Sequence, residues 1–281
     1  MQLKTFRNRT GEGIVAFEPW RTSGPEYDND HSRWYCHLTV AGKRIFEYGC
    51  PCGTCGIVFR KVGKIADRIS DREAVHLLGT LDTMPPNRVL RRLARVLEPS
   101  CYYPRIIEGT VMRVEPGTPD DYFATDVVRL FGLEAPDNKQ PSSPKTTYYR
   151  LGVDHELERT GRRSGSHKAL VTAVVMPLHD TSLLNRERID FWKHQFNIGV
   201  GLTAFAVSVV DNQSPAMNAV DDTYEYEEQF LFTNCLLDGH HRIQAAAELG
   251  APVRILSLMA RDFSLARDSD DIVAVLDRYS R

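Results

Sequence analysis

One run constrains this chain more than any other: Asp238-Gly239-His240-His241-Arg242, set between an apolar stretch at 229–237 and the segment Gln244-Ala245-Ala246-Ala247-Glu248-Leu249-Gly250. The apolar stretch reads as a strand ending in Asp-Gly, after which a helix begins at once. Gly250 is placed to end that helix in a left-handed cap, with Pro252 close behind. The first N–H groups of any helix lack intrahelical partners and favour an anion by about 0.3–1 kcal/mol. Arg242 and two imidazoles on the same turn concentrate donors where a phosphate would sit, and Gly239 lets the backbone approach a ligand closely. Asp-Gly alone would be an ordinary turn with Asp238 capping the helix. The full string is far more restrictive and reads as a strand–turn–helix phosphate cradle.

The motif, with the strand at 253–259 behind it, resembles the signature of the ParB/sulfiredoxin-like superfamily. There a strand ending in an acidic-Gly-x-His-Arg motif opens the helix that holds nucleotide phosphates. This version is closest in type to the free serine kinases of that superfamily, which phosphorylate the amino-acid hydroxyl. The resemblance covers at most residues 169–263. An apolar β-branched run at 169–177, helical spacing at 189–196 and a second strand at 203–210 follow the order that the superfamily requires. The resemblance implies an α+β fold. It also implies ATP or ADP (CTP is an alternative) with Mg²⁺, and Gly239, His240, His241 and Arg242 as phosphate-holding groups. Asp238 would orient or deprotonate the acceptor hydroxyl, and the two imidazoles and Arg242 would stabilise charge during transfer. The kinases also use an upstream glutamate as base. Here that region offers His179 and Asp180, with Glu187 farther on.

Two other functions within the superfamily fit less well. Sulfiredoxins place a reactive cysteine where this chain has His240. Partition proteins add a helix-turn-helix, whereas one short helix, 269–279, is expected after the motif. The net charge of −2 leaves no excess of basic groups for a phosphate backbone, so sequence-specific DNA binding is not expected.

A second constellation lies at Cys50-Pro51-Cys52-Gly53-Thr54-Cys55. Thiolates this close repel one another unless a cation holds them, and zinc takes four such ligands. Residues 34–40 and 44–48 read as a hairpin turning at Ala41-Gly42-Lys43, which would return Cys36 to the knuckle as fourth ligand. His37, Cys101 and His76 are the alternatives. A closed four-thiolate Zn²⁺ site would be structural.

A chain of 281 residues, 42% hydrophobic and 26% charged, can bury a sizeable core. Residues 1–10 hold no apolar signal core, the longest apolar stretch, near 200–210, is too short to span a bilayer, and clustered thiols suit a reducing compartment. Cytoplasmic residence without membrane contact is the expectation.

Four regions follow. Residues 1–65 form a β-rich cysteine-knuckle module, and 66–133 a helical and strand segment. Residues 134–168 are a loop or linker, and 169–281 the nucleotide domain. Within the second region 71–79 and 87–97 read as helices, with Arg88, Arg91, Arg92 and Arg95 on a solvated face. Residues 102–114 and 122–130 read as strands. The segment 158–167 reads as a connection, with a phosphate lid through Arg162 or Arg163 as the alternative. The acidic insertion 211–228, containing Asp221, Asp222, Glu225, Glu227 and Glu228, reads as a solvated tip, with magnesium binding as its minority reading.

The expectation is therefore a nucleotide-dependent phosphotransferase acting on the hydroxyl of a small metabolite, serine first. The rival is a nucleotide-responsive switch or protein-interaction module without small-molecule catalysis. Nothing in the residues fixes the oligomeric state.

Overall fold

The computed structural model describes residues 5–19, 35–49, 58–65, 69, 83–125, 144–160, 166–201, 203–213, 226, 228–264, 266 and 269–280. The strands at the centre of the fold are those that the sequence writes as nearly unbroken apolar runs. They are β9 (Ser166–Pro177), β10 (Thr203–Gln213), β11 (Glu228–Asp238) and β12 (Pro252–Ala260). Such runs belong to strands buried on both faces. On one face Phe205, Val207, Val209, Leu231, Leu256 and Leu258 share a core with Phe17, Leu38, Tyr48 and Phe59 of a second sheet. On the other, Ala204, Ala206, Phe232, Ile255 and Met259 pack with Ile243 and Ala246 of one helix and Ile272 and Leu276 of another.

These strands close into a ring. A long strand, β6 (Ser100–Val114), pairs antiparallel with β12. The far end of β6 pairs with the short β7 (Tyr148–Leu151), and β7 with β9. The circuit β6-β12-β10-β11-β9-β7 is a six-stranded closed barrel, to which β1 (Phe6–Asn8) adds on β6 and β8 (His155–Thr160) on β9. This corrects the expected α+β, ParB/sulfiredoxin-like fold: the chain is mostly β, with a closed barrel and a separate sheet. The reason is β7. It is four residues long, and its pairing with β6 removes the open edges. A buried polar knot fixes it there. The Tyr148 hydroxyl donates to Asp121 Oδ1 at 2.9 Å and accepts from the Tyr122 amide at 2.8 Å, while Asp121 Oδ2 accepts from the Gly117 amide at 2.7 Å. Asp121, Tyr122 and Phe123 thus lie in a buried turn and not in the strand expected from 122 onward; residues 126–130 are outside the described residues.

A second polar network pins the barrel's register. Ser208 Oγ donates to Asn234 Oδ1 at 2.7 Å and meets Ser257 Oγ at 2.6 Å, so Ser257 is the donor in that second pair. Asn234 Nδ2 donates to the Val174 carbonyl at 3.3 Å. One fully buried chain of bonds therefore crosses β12, β10, β11 and β9, where a one-residue slip would leave polar groups unpaired.

The separate sheet contains β2 (Val15–Pro19), β3 (Tyr35–Val40), β4 (Lys43–Gly49) and β5 (Val58–Lys61) in sequence order. The expected hairpin is present: Ala41 and Gly42 both adopt positive φ, 49° and 73°, as a two-residue turn between twisted strands demands. Four α-helices are described: α1 (Asn87–Ala94), α2 (Arg186–Asn197), α3 (His240–Leu249) and α4 (Ser269–Tyr279). Val89, Leu90 and Leu93 of α1 face the core, which leaves its arginines on the other side, as expected. No helix among the described residues is long and apolar enough to cross a membrane.

Candidate functional site

The motif lies at the junction of β11 and α3. Gly239 takes φ +98°, and a Cβ there would sit 2.7 Å from the Cβ of Ala204 on β10. Only glycine lets α3 start this close to the barrel. The first helical bond runs from the Ile243 amide to the Gly239 carbonyl at 2.9 Å. The amides of His240, His241 and Arg242 precede that bond, the capping residue Gly239 has no side chain, and no acid lies in the first turn. The dipole of any helix favours negative charge at such an end.

The motif side chains are engaged in ways that spacing did not reveal. His240 is 8% exposed, and its Nε2 accepts from the His179 amide at 3.3 Å. The two rings meet edge to face with centroids 4.7 Å apart. Accepting at Nε2 places the proton of the neutral ring on Nδ1. Burial pushes this imidazole well below its ordinary pKa, and His179, His241 and Lys61 push the same way. His241 Nε2 accepts from the Asn185 amide at 3.1 Å; burial lowers its pKa as well. The two histidines thus suspend the segment between β9 and α2 across the start of α3.

That segment carries His179 and Asp180, the two groups expected in place of an upstream glutamate. Asp180 Oδ1 accepts from the amide and hydroxyl of Ser182 at 3.0 and 2.8 Å, which holds its carboxyl below the usual range. His179 is lowered by burial first and by Lys61 second. Glu187 lies in the first turn of α2, two residues after the capping residue Asn185.

Arg242 Nη1 donates to the Thr203 carbonyl at 2.6 Å, stands 3.9 Å from Asp238 Oδ2, and its guanidinium lies over the Trp192 ring at 4.6 Å. Trp192 belongs to α2, which buries only Ile189. What holds α2 is a set of polar ties to α3. Arg186 reaches both oxygens of Glu248 at 2.8 and 2.9 Å, and Lys193 reaches one at 2.9 Å. These donors lower the Glu248 carboxyl to about 2, Arg186 most of all.

Lys61 is the functional candidate that sequence reading missed. It ends β5 in the other sheet, is half-buried with its pKa lowered by that burial, and acts electrostatically on Asp180, His179 and His240. A lone lysine on a strand carries no sequence signal; only the packing of the two sheets brings it here.

The expected zinc site is described at one residue. Cys36 is buried on β3 beside Tyr48, and burial pushes its thiol up to about 12. Cys50, Cys52, Cys55 and the alternative ligand His76 lie outside the described residues. His37 meets Glu47 at 3.3 Å, and Cys101 is half-buried on β6. Among the described residues no group of three or more His, Cys, Asp or Glu could hold a metal. Arg162, Arg163, Asp221, Asp222, Glu225 and Glu227 also lie outside them. Comparison of the chain with protein-family models, with curated proteins and with solved structures returned no match.

Proposed function

We propose that the start of α3 binds the phosphates of a nucleoside di- or triphosphate and that the chain transfers a phosphoryl group to the hydroxyl of a small acceptor, serine being the first candidate. The observation that carries this reading is the first turn of α3, begun on a glycine with no side chain to cap it, with Arg242 on it and Lys61 within electrostatic range of His240. Backbone donors, a helix dipole and fixed cations stabilise charge on a transferring phosphoryl group, which needs positioning more than covalent help. His240 and His241 serve as positioning residues, because each already accepts a backbone hydrogen bond that fixes the neighbouring segment.

Asp238 is the group assigned to take the acceptor's proton. Asp180, held ionised by Ser182, is the second carboxylate at this end. Magnesium is commonly bound through one or two carboxylates plus phosphate oxygens, and Asp238 and Asp180 are the carboxylates proposed to contribute to it.

A nucleotide switch without transfer is the second reading, favoured by α2. A helix that buries one side chain and is held by ion pairs can shift when Arg242 exchanges Trp192 and Thr203 for a phosphate. ³¹P NMR with Mg²⁺ and ATP, ADP or CTP, with and without hydroxylated amino acids, separates the two. A new phosphomonoester that requires the acceptor supports transfer, and its loss in Asp238→Asn and Arg242→Ala supports the assigned roles. Broadened but unconverted nucleotide signals support the switch. Signals unchanged by protein refute both.

A further inference from the structure

The start of α3 has two flanks. On one, Arg242 reaches the Thr203 carbonyl and the Trp192 ring. On the other stands Lys61, a cation from the second sheet that acts on His179, Asp180 and His240. We propose that Lys61 binds the carboxylate of the acceptor, so that the acceptor is a short hydroxy acid and not a neutral or cationic alcohol. This deepens the transfer reading and rests on it.

Lys61 lies directly across from Phe46 on β4, and its ammonium stands over that ring, 6.0 Å from the centroid. Among the described residues no carboxylate pairs with the ammonium and no acceptor hydrogen-bonds to it. An ammonium offers three donors, and leaving them half-buried without an acceptor is unfavourable. Burial lowers its pKa accordingly, while Asp180 draws it back up. An anionic ligand would supply the missing acceptors.

The chain leaving β5 is held against the motif. The Val62 and Gly63 amides donate to the Ile45 carbonyl at 2.8 and 3.2 Å, and the Ile65 backbone is hydrogen-bonded to the His179 imidazole. His179 meets His240, the first residue of α3, with ring centroids 4.7 Å apart. Contact therefore runs from the exit of β5 through His179 to the helix start.

Two features assign this flank to the acceptor. Lys61 and Asp238 both act on His179, whereas His241 is reached by Asp238 and Arg188 but not by Lys61. Lys61 thus stands on the His179 side of the proposed base, while Arg242 is turned to Trp192 and Thr203. An acceptor whose hydroxyl meets Asp238 and whose carboxylate meets Lys61 spans the His179 ring, which keeps the two groups a short chain apart. Lys64 acts on Asp180 and on Lys61 as well, so an acceptor carrying only an amine meets like charge. In the transfer, the acceptor oxygen bonds to the terminal phosphorus as the bond to the bridging oxygen breaks. The hydroxyl proton passes to Asp238, the nucleotide leaves one phosphate shorter, and Lys61 keeps its protons.

The test is an amide NMR titration of the whole chain with L-serine, 3-hydroxypropionate and L-serinamide, with and without ATP and Mg²⁺, followed by ³¹P detection of product. Serine and 3-hydroxypropionate shift the amides of Ile65 and His179 saturably. Serinamide binds at least about tenfold more weakly, the loss of one charge-assisted bond. Lys61→Met binds serine and serinamide alike with ATP affinity unchanged, and Lys61→Arg keeps the preference. Equal binding of serine and serinamide by the unaltered chain, or no saturable shift with serine in either condition, overturns the inference without any variant having to fold. So does a Lys61→Met chain that loses ATP but still prefers serine. Carboxylate-dependent binding with no phosphomonoester overturns the transfer reading alone. Phosphomonoesters formed equally from serine and serinamide overturn the role of Lys61 alone.

Discussion

The two ends of α3 begin and finish with the same device, a left-handed glycine, yet they are packed in opposite ways. At the amino end Gly239 is pressed against Ala204, and the first turn carries Arg242 and two imidazoles whose pKa burial lowers. At the carboxyl end Gly250 has nothing within 4 Å of where its Cβ would be, and Leu249 borders a cleft of about 430 Å³. A single helix dipole gives both ends their sign. What differs is the packing: close approach to the barrel at one end, chain reversal alone at the other.

The sharpest way to break this comparison is to substitute both glycines. Gly239→Ala combines a left-handed backbone penalty with a clash against β10 and costs about 3 kcal/mol or more. Gly250→Ala carries only the backbone term, about 1–2 kcal/mol. Chemical denaturation measures both; equal costs would mean that Gly239 is a turn residue and not a packing requirement. Next in size, Arg242→Ala weakens nucleotide binding by about tenfold to a hundredfold, as loss of a charged hydrogen bond implies.

Protonation sharpens the comparison further. The folded pKa of His240 lies below its ordinary 6.5 because the ring is buried, so below 6.5 the unfolded chain takes up the proton first. Its stabilising contribution is therefore present above pH 6.5 and is lost as pH falls beneath it. His179 and His241 are lowered in the same direction and add to the effect. Unfolding free energies measured on either side of pH 6.5 fall toward acid, and His240→Gln reduces that slope. The smallest effect is at Trp192. Replacing it with Leu removes the stack on Arg242 and costs about 0.5–1 kcal/mol, with hydrogen exchange in α2 accelerating before the rest of the chain.

How much was legible follows the same divide between local and distant causes. Strands β9 to β12 and helices α2 and α3 could be read because apolar runs and helical spacing are local signals. Their closure into a barrel could not, since it depends on Tyr148 and three neighbours meeting β6 across a buried Asp121. The order of elements suggested an α+β nucleotide-binding fold; the unread β6–β7 pairing closes its strands into a ring. At the site, Gly239 and the donor-rich turn were visible in the motif. The engagement of His240 and His241 with the amides of His179 and Asn185 was not, because residue type does not say which ring nitrogen a distant amide will reach. Lys61 arrives from the other sheet and was invisible for the same reason.

The account rests on the amino end of α3 holding phosphate. Amide NMR of the chain titrated with ATP and Mg²⁺ tests that directly. The account predicts that the largest shifts fall on His240, His241 and Arg242, with the Trp192 indole following as Arg242 moves. Saturable binding that leaves those three amides unshifted, or shifts centred on the cleft at the carboxyl end, would contradict it.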